Sequence, residues 1–332
     1  MLTKKTNVLR LIASISIVAL MAGAASAETL RLSHHHPVGG AVDQAAKKFA
    51  DLTREKTSGA LIIQVFPAAQ LGQEREAFDL VEQGGLDISI TTTSFLDKVY
   101  PAVAVTTMPF VFRDWDHARA AYSGEFGELI RSSVSAASTI EVLAYYGIGF
   151  RQFFFTADEP ATTVAQMNGL KMRSPENYSY VRMFELLGAR PTPITFGEVY
   201  TAMQTGVAQG FESPAGVVLD SKLNEVAGSA LQTNHMFTAM VFAMNENSLA
   251  RLPQEQQALL QEAAREATQW AETEVTIPAE AATMVTFSEG GMVIAQPAMP
   301  EEWPAAVKPM VDELAASVEG AADLLAALAA AE

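Results

Sequence analysis

Two rhythms of apolar and polar positions run along the chain. Short segments alternate, the two-residue period of a half-buried strand; longer ones repeat every three and four residues, the period of an amphipathic helix. Thr29 to Ser33 predicts a strand, followed by the loop His34-His35-His36-Pro37-Val38-Gly39-Gly40 and a helix with Val42, Ala45, Ala46, Phe49 and Leu52 on one face. Leu61 to Phe66 is the next strand, Gln73 to Gln83 a helix stopped by Gly84-Gly85, and Leu86 to Ile90 a strand opening into Thr91 to Phe95. Strands alternating with helices predict α/β layers around a largely parallel sheet. Ile140 to Thr156 and Leu231 to Asn245 are longer apolar runs, read as strands crossing between two lobes. They divide the chain into a first lobe of 28–148 plus 239–278 and a second of 149–238 plus 279–332. Pro253 to Met284 keeps helical spacing beyond an ordinary helix length, with a kink or a second helix start expected at Pro278. A strand at Met292 to Ala295 and helices near Glu301–Val318 and Ala321–Ala330 close the chain.

The stretch from Leu170 to Pro214 holds the densest signals. Leu170 and Met172 alternate with Lys171 and Arg173, so Arg173 falls where a strand ends; Ser174-Pro175 reads as a helix start. Thr195-Phe196-Gly197-Glu198 has the spacing of a capping box, and Ser213-Pro214 repeats the strand-to-helix grammar. In open α/β sheets ligands bind at this edge, where unpaired helix N–H groups favour an anion. Thr91 to Phe95, with Thr92 among them, follows a first-lobe strand and should face the same cleft.

Charge and termini narrow the compartment. Lys4, Lys5 and Arg10 precede the apolar run Leu11 to Ala22, and Ala25-Ser26-Ala27 makes an A-x-A site, so 1–27 reads as a removable export signal. The 332 residues carry a formal net charge of −16, which becomes −19 once those three basic residues leave with the signal. Such a surface repels nucleic acid and anionic lipid. No cysteine is present, which excludes disulfides, thiolate metal sites, a cysteine nucleophile and a lipid-anchored cysteine. A soluble periplasmic protein is the expectation, and its length favours two lobes over one core.

Several runs together resemble the DctP-type solute-binding proteins of tripartite ATP-independent periplasmic (TRAP) transporters. They are Val65-Phe66-Pro67-Ala68-Ala69-Gln70-Leu71-Gly72, Met108-Pro109-Phe110-Val111-Phe112, Gly169-Leu170-Lys171-Met172-Arg173, and Phe196-Gly197-Glu198-Val199-Tyr200 continuing to Gly210-Phe211-Glu212. The resemblance implies a periplasmic-binding-protein-like fold, two α/β lobes joined by crossing strands and a long helix, with a small organic acid held in the interlobe cleft and delivered to a membrane permease. It implies that Arg173 pairs with the ligand carboxylate and that Arg151 reaches the ligand. Phe196 would line the pocket, Glu212 and Ser213 would lie beside the ligand, and His235 falls in a recurrent run near the hinge. Ser213 stands where the family often has an asparagine, which leaves substrate identity open among C4-dicarboxylates, sugar acids, hydroxy or oxo acids and sulfonates.

Arginine suits this task because its planar fork presents parallel donors to both oxygens of a carboxylate. Glu212 could receive ligand hydroxyls or orient an arginine. His34-His35-His36 is a poor metal set, since neighbouring side chains on an extended chain point apart, though the loop could reach the cleft rim. No His-Glu-x-x-His, Gly-x-Ser-x-Gly or P-loop occurs, and no carboxylate spacing picks out an acid/base pair. The reading is therefore a non-enzymatic binder without metal or cofactor, monomeric unless the Ala/Leu tail pairs two copies. The alternative is a periplasmic sensor docking on a receptor kinase.

Overall fold

The structure, a computed structural model, describes residues 27–332. Apart from Ala27, the export signal read at 1–27 lies outside the described residues. In chain order the first half contains β1 (Glu28–Ser33), α1 (Ala41–Lys56), β2 (Leu61–Phe66), α2 (Glu74–Glu82), β3 (Ile88–Thr92), α3 (Trp115–Ser123) and α4 (Glu125–Ala137). Then β4 (Ile140–Phe155) crosses to β5 (Lys171–Ser174), α5 (Tyr178–Leu186), β6 (Arg190–Pro193), α6 (Val199–Gln204), β7 (Gly210–Pro214) and α7 (Ala215–Asp220). The return is β8 (Ser229–Asn245), followed by α8 (Glu246–Ala250), α9 (Gln254–Trp270), α10 (Ile277–Glu289), β9 (Val293–Ala295), α11 (Glu302–Ser317) and α12 (Ala321–Ala329).

One sheet threads both lobes in the order β2-β1-β3-β8-β4-β7-β5-β6, with β9 paired to β8. Within each lobe the short strands are parallel, β2-β1-β3 and β7-β5-β6. The crossing strands are antiparallel to each other and to β3 and β7. At about 3.3 Å per residue each spans roughly 50 Å, enough to belong to both lobes. Both faces of the sheet are covered, so β4 and β8 read as almost continuous apolar runs rather than alternating ones. In the first lobe α1 and α9 pack on one face through Phe49, Phe242 and Leu260, and α4 and α12 pack on the other through Phe126 and Leu324. The second lobe has α5 and α11 on one side and α6, α7 and α10 on the other.

Two expectations need correction. The helix predicted at Ser174-Pro175 begins only at Tyr178, because Ser174 stays in the strand and Asn177 supplies the cap, its side chain accepting the Ser179 N–H at 2.9 Å. A residue before proline is held extended, which favours the strand. The tail assigned with 279–332 to the second lobe is split: α12 sends Ala321, Leu324, Ala327 and Leu328 into the first-lobe core. It is tied there by His117, whose Nδ1 accepts the Arg113 N–H and whose Nε2 meets the Leu328 carbonyl at 2.8 Å. The kink or second start expected at Pro278 is present: α10 starts at Ile277 with Pro278 in its first turn, directly after a π-helical turn, Ala271–Thr276. A widened turn accommodates a residue that has no N–H to give.

Candidate ligand-binding site

The carboxyl ends of the parallel strands in both lobes meet at one cavity of about 80 Å³. The first lobe supplies His35 and His36 after β1, Glu74 at the start of α2, Thr92 at the end of β3 and Ser94 just beyond it. From the second come Arg173 at the end of β5, Phe196 after β6 and Ser213 in β7, while the crossing strands add Arg151 and Thr238.

The two arginines are in opposite states. On β4, Arg151 faces Pro214 across the ladder, and Glu212 lies two residues back on β7, on the same face. Arg151 therefore closes a fork on Glu212, with Nη2 donating to Oε1 at 2.8 Å and Nε to Oε2. Nη2 also reaches the Glu212 carbonyl and Nη1 the Thr238 hydroxyl at 3.1 Å. Burial works against both charges. The pair outweighs it, holding Glu212 below and Arg151 above their ordinary pKa values. Behind Glu212 stands His235, with Nε2 3.7 Å from the carboxylate, Nδ1 2.7 Å from the Thr233 hydroxyl, and its ring stacked 4.2 Å from Phe153.

Arg173 has no such partner. Its Nε donates to the Ile194 carbonyl at 2.9 Å, and its guanidinium sits 6.0 Å from the Phe196 ring centre. Among the described residues no carboxylate lies within ion-pair distance of it, although only 4% of the residue is exposed. Burial is the main force pulling its pKa down to about 10, Glu212 opposes it, and Arg151 adds to it. At neutral pH this remains a cation, buried without a counter-ion, an arrangement that is unfavourable until an anion arrives.

Of the residues singled out from sequence, Arg173, Arg151, Phe196, Ser213 and Thr92 line this cavity. Glu212, expected beside the ligand, and His235, expected near the hinge, do not line it; both lie behind Arg151, and Glu212 is fully buried with the Arg151 fork on its carboxylate. Glu74 and Thr238 line the cavity without having been picked out, and His35 and His36 line it from the loop expected at the cleft rim. The loop after β1 carried a hint, because it follows a strand. Glu74 carried none, because an acidic residue in the first turn of a helix is commonplace.

Comparisons with known proteins place this arrangement. Residues 32–317 match the family model DctP, bacterial extracellular solute-binding protein, family 7. A solute-binding protein of Roseobacter denitrificans is 32% identical over 267 residues, 80% of this chain and 81% of that one. The 2,3-diketo-L-gulonate-binding periplasmic protein of Escherichia coli is 30% identical over 248 residues, covering 74% and 75%. Among solved structures, a TRAP periplasmic solute-binding protein from Roseobacter denitrificans with bound β-D-glucuronate superposes with a TM-score of 0.87 at 28% identity, over 92% of this chain and all of that one. Fold and cavity define a two-lobe periplasmic binding protein. More narrowly, the chain belongs to the DctP family of solute-binding proteins that serve TRAP transporters.

Proposed function

We propose that the protein captures a small organic-acid anion by its carboxylate on Arg173, with Arg151 held beside it by Glu212, and delivers it to the membrane subunits of a TRAP transporter. The leader at 1–27 carries the chain to the periplasm, and the lobes divided near 148 and 239 close over the ligand. Closure is favoured only as far as the ligand binds the closed form better than the open one. Glu212 and His235 act as positioning residues, fixing the Arg151 guanidinium so that its remaining edge faces the cavity. Support from relatives comes from the glucuronate and diketogulonate in their names, both hydroxylated or oxo carboxylic acids.

The observation that carries this reading is the buried, unpaired guanidinium of Arg173. Truncating one partner of a buried charge pair costs roughly 2–5 kcal/mol, or about thirty-fold to a few thousand-fold in affinity. Calorimetric titration with sugar acids should therefore find binding all but lost in Arg173→Ala and mostly lost in Arg173→Lys, whose point charge cannot fork. Unchanged affinity in both would remove the clamp.

A further inference from the structure

We propose that Glu74 restricts the site to acids with one carboxylate and hydroxyls at the far end, and rejects diacids of matching length. The inference rests on carboxylate capture by Arg173 and concerns what the opposite wall reads.

Glu74 opens α2 and is fixed by one oxygen: Oε1 accepts the Thr92 N–H at 2.6 Å and the Thr91 hydroxyl at 2.9 Å. Oε2 receives no hydrogen bond among the described residues; His35 Nε2 stands 3.6 Å from it, outside bonding distance. The residue lines the cavity, and its charge is felt at both Arg151 and Arg173. Around it, His35 Nδ1 and His36 Nε2 are buried and have no partner. Buried polar atoms without partners are rare in a finished site and mark where a ligand's groups belong. Burial keeps both imidazoles well below their ordinary pKa, so neither adds positive charge.

The charges of the wall then admit one carboxylate. Arg151 is matched by Glu212, while Arg75 keeps its charge but stands exposed at the rim, where solvent and salt screen it, with Nη2 on the Glu176 carbonyl at 2.9 Å. That leaves Arg173 for the ligand's anionic end, and Glu74 as an acceptor facing the other. A hydroxyl donates to Glu74 Oε2 and accepts from an imidazole N–H, satisfying both. A second carboxylate brings only acceptors and a like charge, leaving Oε2 without a donor and adding repulsion.

The test is calorimetric titration of the full mature chain with matched probes: D-glucuronate against D-glucarate, D-galactonate against D-galactarate, D-erythronate against tartrate. At least one monoacid should bind, with its diacid roughly a hundredfold weaker or worse. Glu74→Gln keeps an acceptor for the Thr92 N–H but removes the charge. It should narrow that ratio about tenfold or more, chiefly by tightening the diacid. A wild-type ratio near one overturns the proposal even if the variant fails to fold, and so does an unchanged ratio in a folded variant. Monoacid binding that survives Arg173→Ala, or no binding by any of the six probes, overturns the capture reading itself and this inference with it.

Discussion

Buried imidazoles make this a pH-sensitive fold at the level of single residues. His34, His35, His36 and His235 are each held below the ordinary histidine value, burial being the largest cause in every case. For His35 the value falls to about 3, with His34 and Arg173 adding to burial. The unfolded chain takes up protons as pH drops through 6.5 while the folded one does not. Stability is therefore complete above 6.5 and lost progressively toward 3. At about 1.4 kcal/mol per pH unit, His35 alone should withdraw about 2 kcal/mol between pH 6.5 and 5. Asp43 and Lys47 beside His34, Glu74 near His35, and Glu212 with Arg151 beside His235 are the charges facing these rings. Half-buried Glu272 and Glu280, whose pKa values are raised by desolvation, oppose the trend. Chemical denaturation at the two pH values, for wild type and His35→Gln, isolates the imidazole; equal losses in both would refute its share. The sequence showed three histidines after a strand but not their burial. That burial needs Phe196, about 160 residues later, packed 5.5 Å from His35 and 5.8 Å from His36 by ring centre.

At the scale of elements, the crossing strand and the long helix brace each other. The ladder between β4 and β8 slips at Val142/Ala144, Gly147/Gly149 and Arg151/Phe153, and Gly149 takes φ 120°, in the region that favours glycine. Bulges leave backbone N–H groups free, and carboxylates from beyond α9 collect them. Glu272 accepts the Gly147 N–H at 2.9 Å, and Glu280 accepts the Phe150 N–H at 2.7 Å as well as the Trp115 indole N–H. Glu280→Ala strands two part-buried donors and should cost roughly 2–6 kcal/mol in urea denaturation, at about 1–3 kcal/mol for each unsatisfied group. Glu280→Gln keeps an acceptor and should lose less than half of that; a larger loss would point to the charge instead. The strands themselves were legible: β4 runs 140–155 against a reading of 140–156, and β8 runs 229–245 against 231–245, because apolar runs that long leave little choice. Bulges, the π-turn and the start of α5 were not legible. They answer to partners such as Glu280, far along the chain, and not to the hydrophobic pattern.

For the whole molecule, affinity includes whatever the lobes give each other on closing. Helix α1 begins at Gly40, which has no side chain to cap it. Instead Asp220, the last residue of α7, crosses from the second lobe and accepts the Ala41 N–H at 2.9 Å. The approach is close enough that a Cβ on Gly40 would stand 2.7 Å from Asp220 Oδ2. Further bonds span the lobes, among them Asn177 Nδ2 to Asp97 Oδ2 at 2.8 Å and Arg75 Nη2 to the Glu176 carbonyl. On the proposed clamp, parting the lobes would break these bonds, so each would bias the population toward the form that holds ligand, and apparent affinity would scale with that population. Asp220 does not line the ligand cavity, so its removal should act through closure alone. A net hydrogen bond of about 0.5–1.5 kcal/mol predicts a two- to roughly tenfold weaker Kd for Asp220→Ala. Loss should fall mainly on the dissociation rate, since the open form that meets the ligand is unaltered. Gly40→Ala should weaken binding in the same direction by forcing Asp220 away. Stopped-flow rates together with small-angle scattering decide the matter. Saturated Asp220→Ala should be as compact as wild type while releasing ligand faster. A variant with wild-type rates would mean that the ligand alone holds the lobes together.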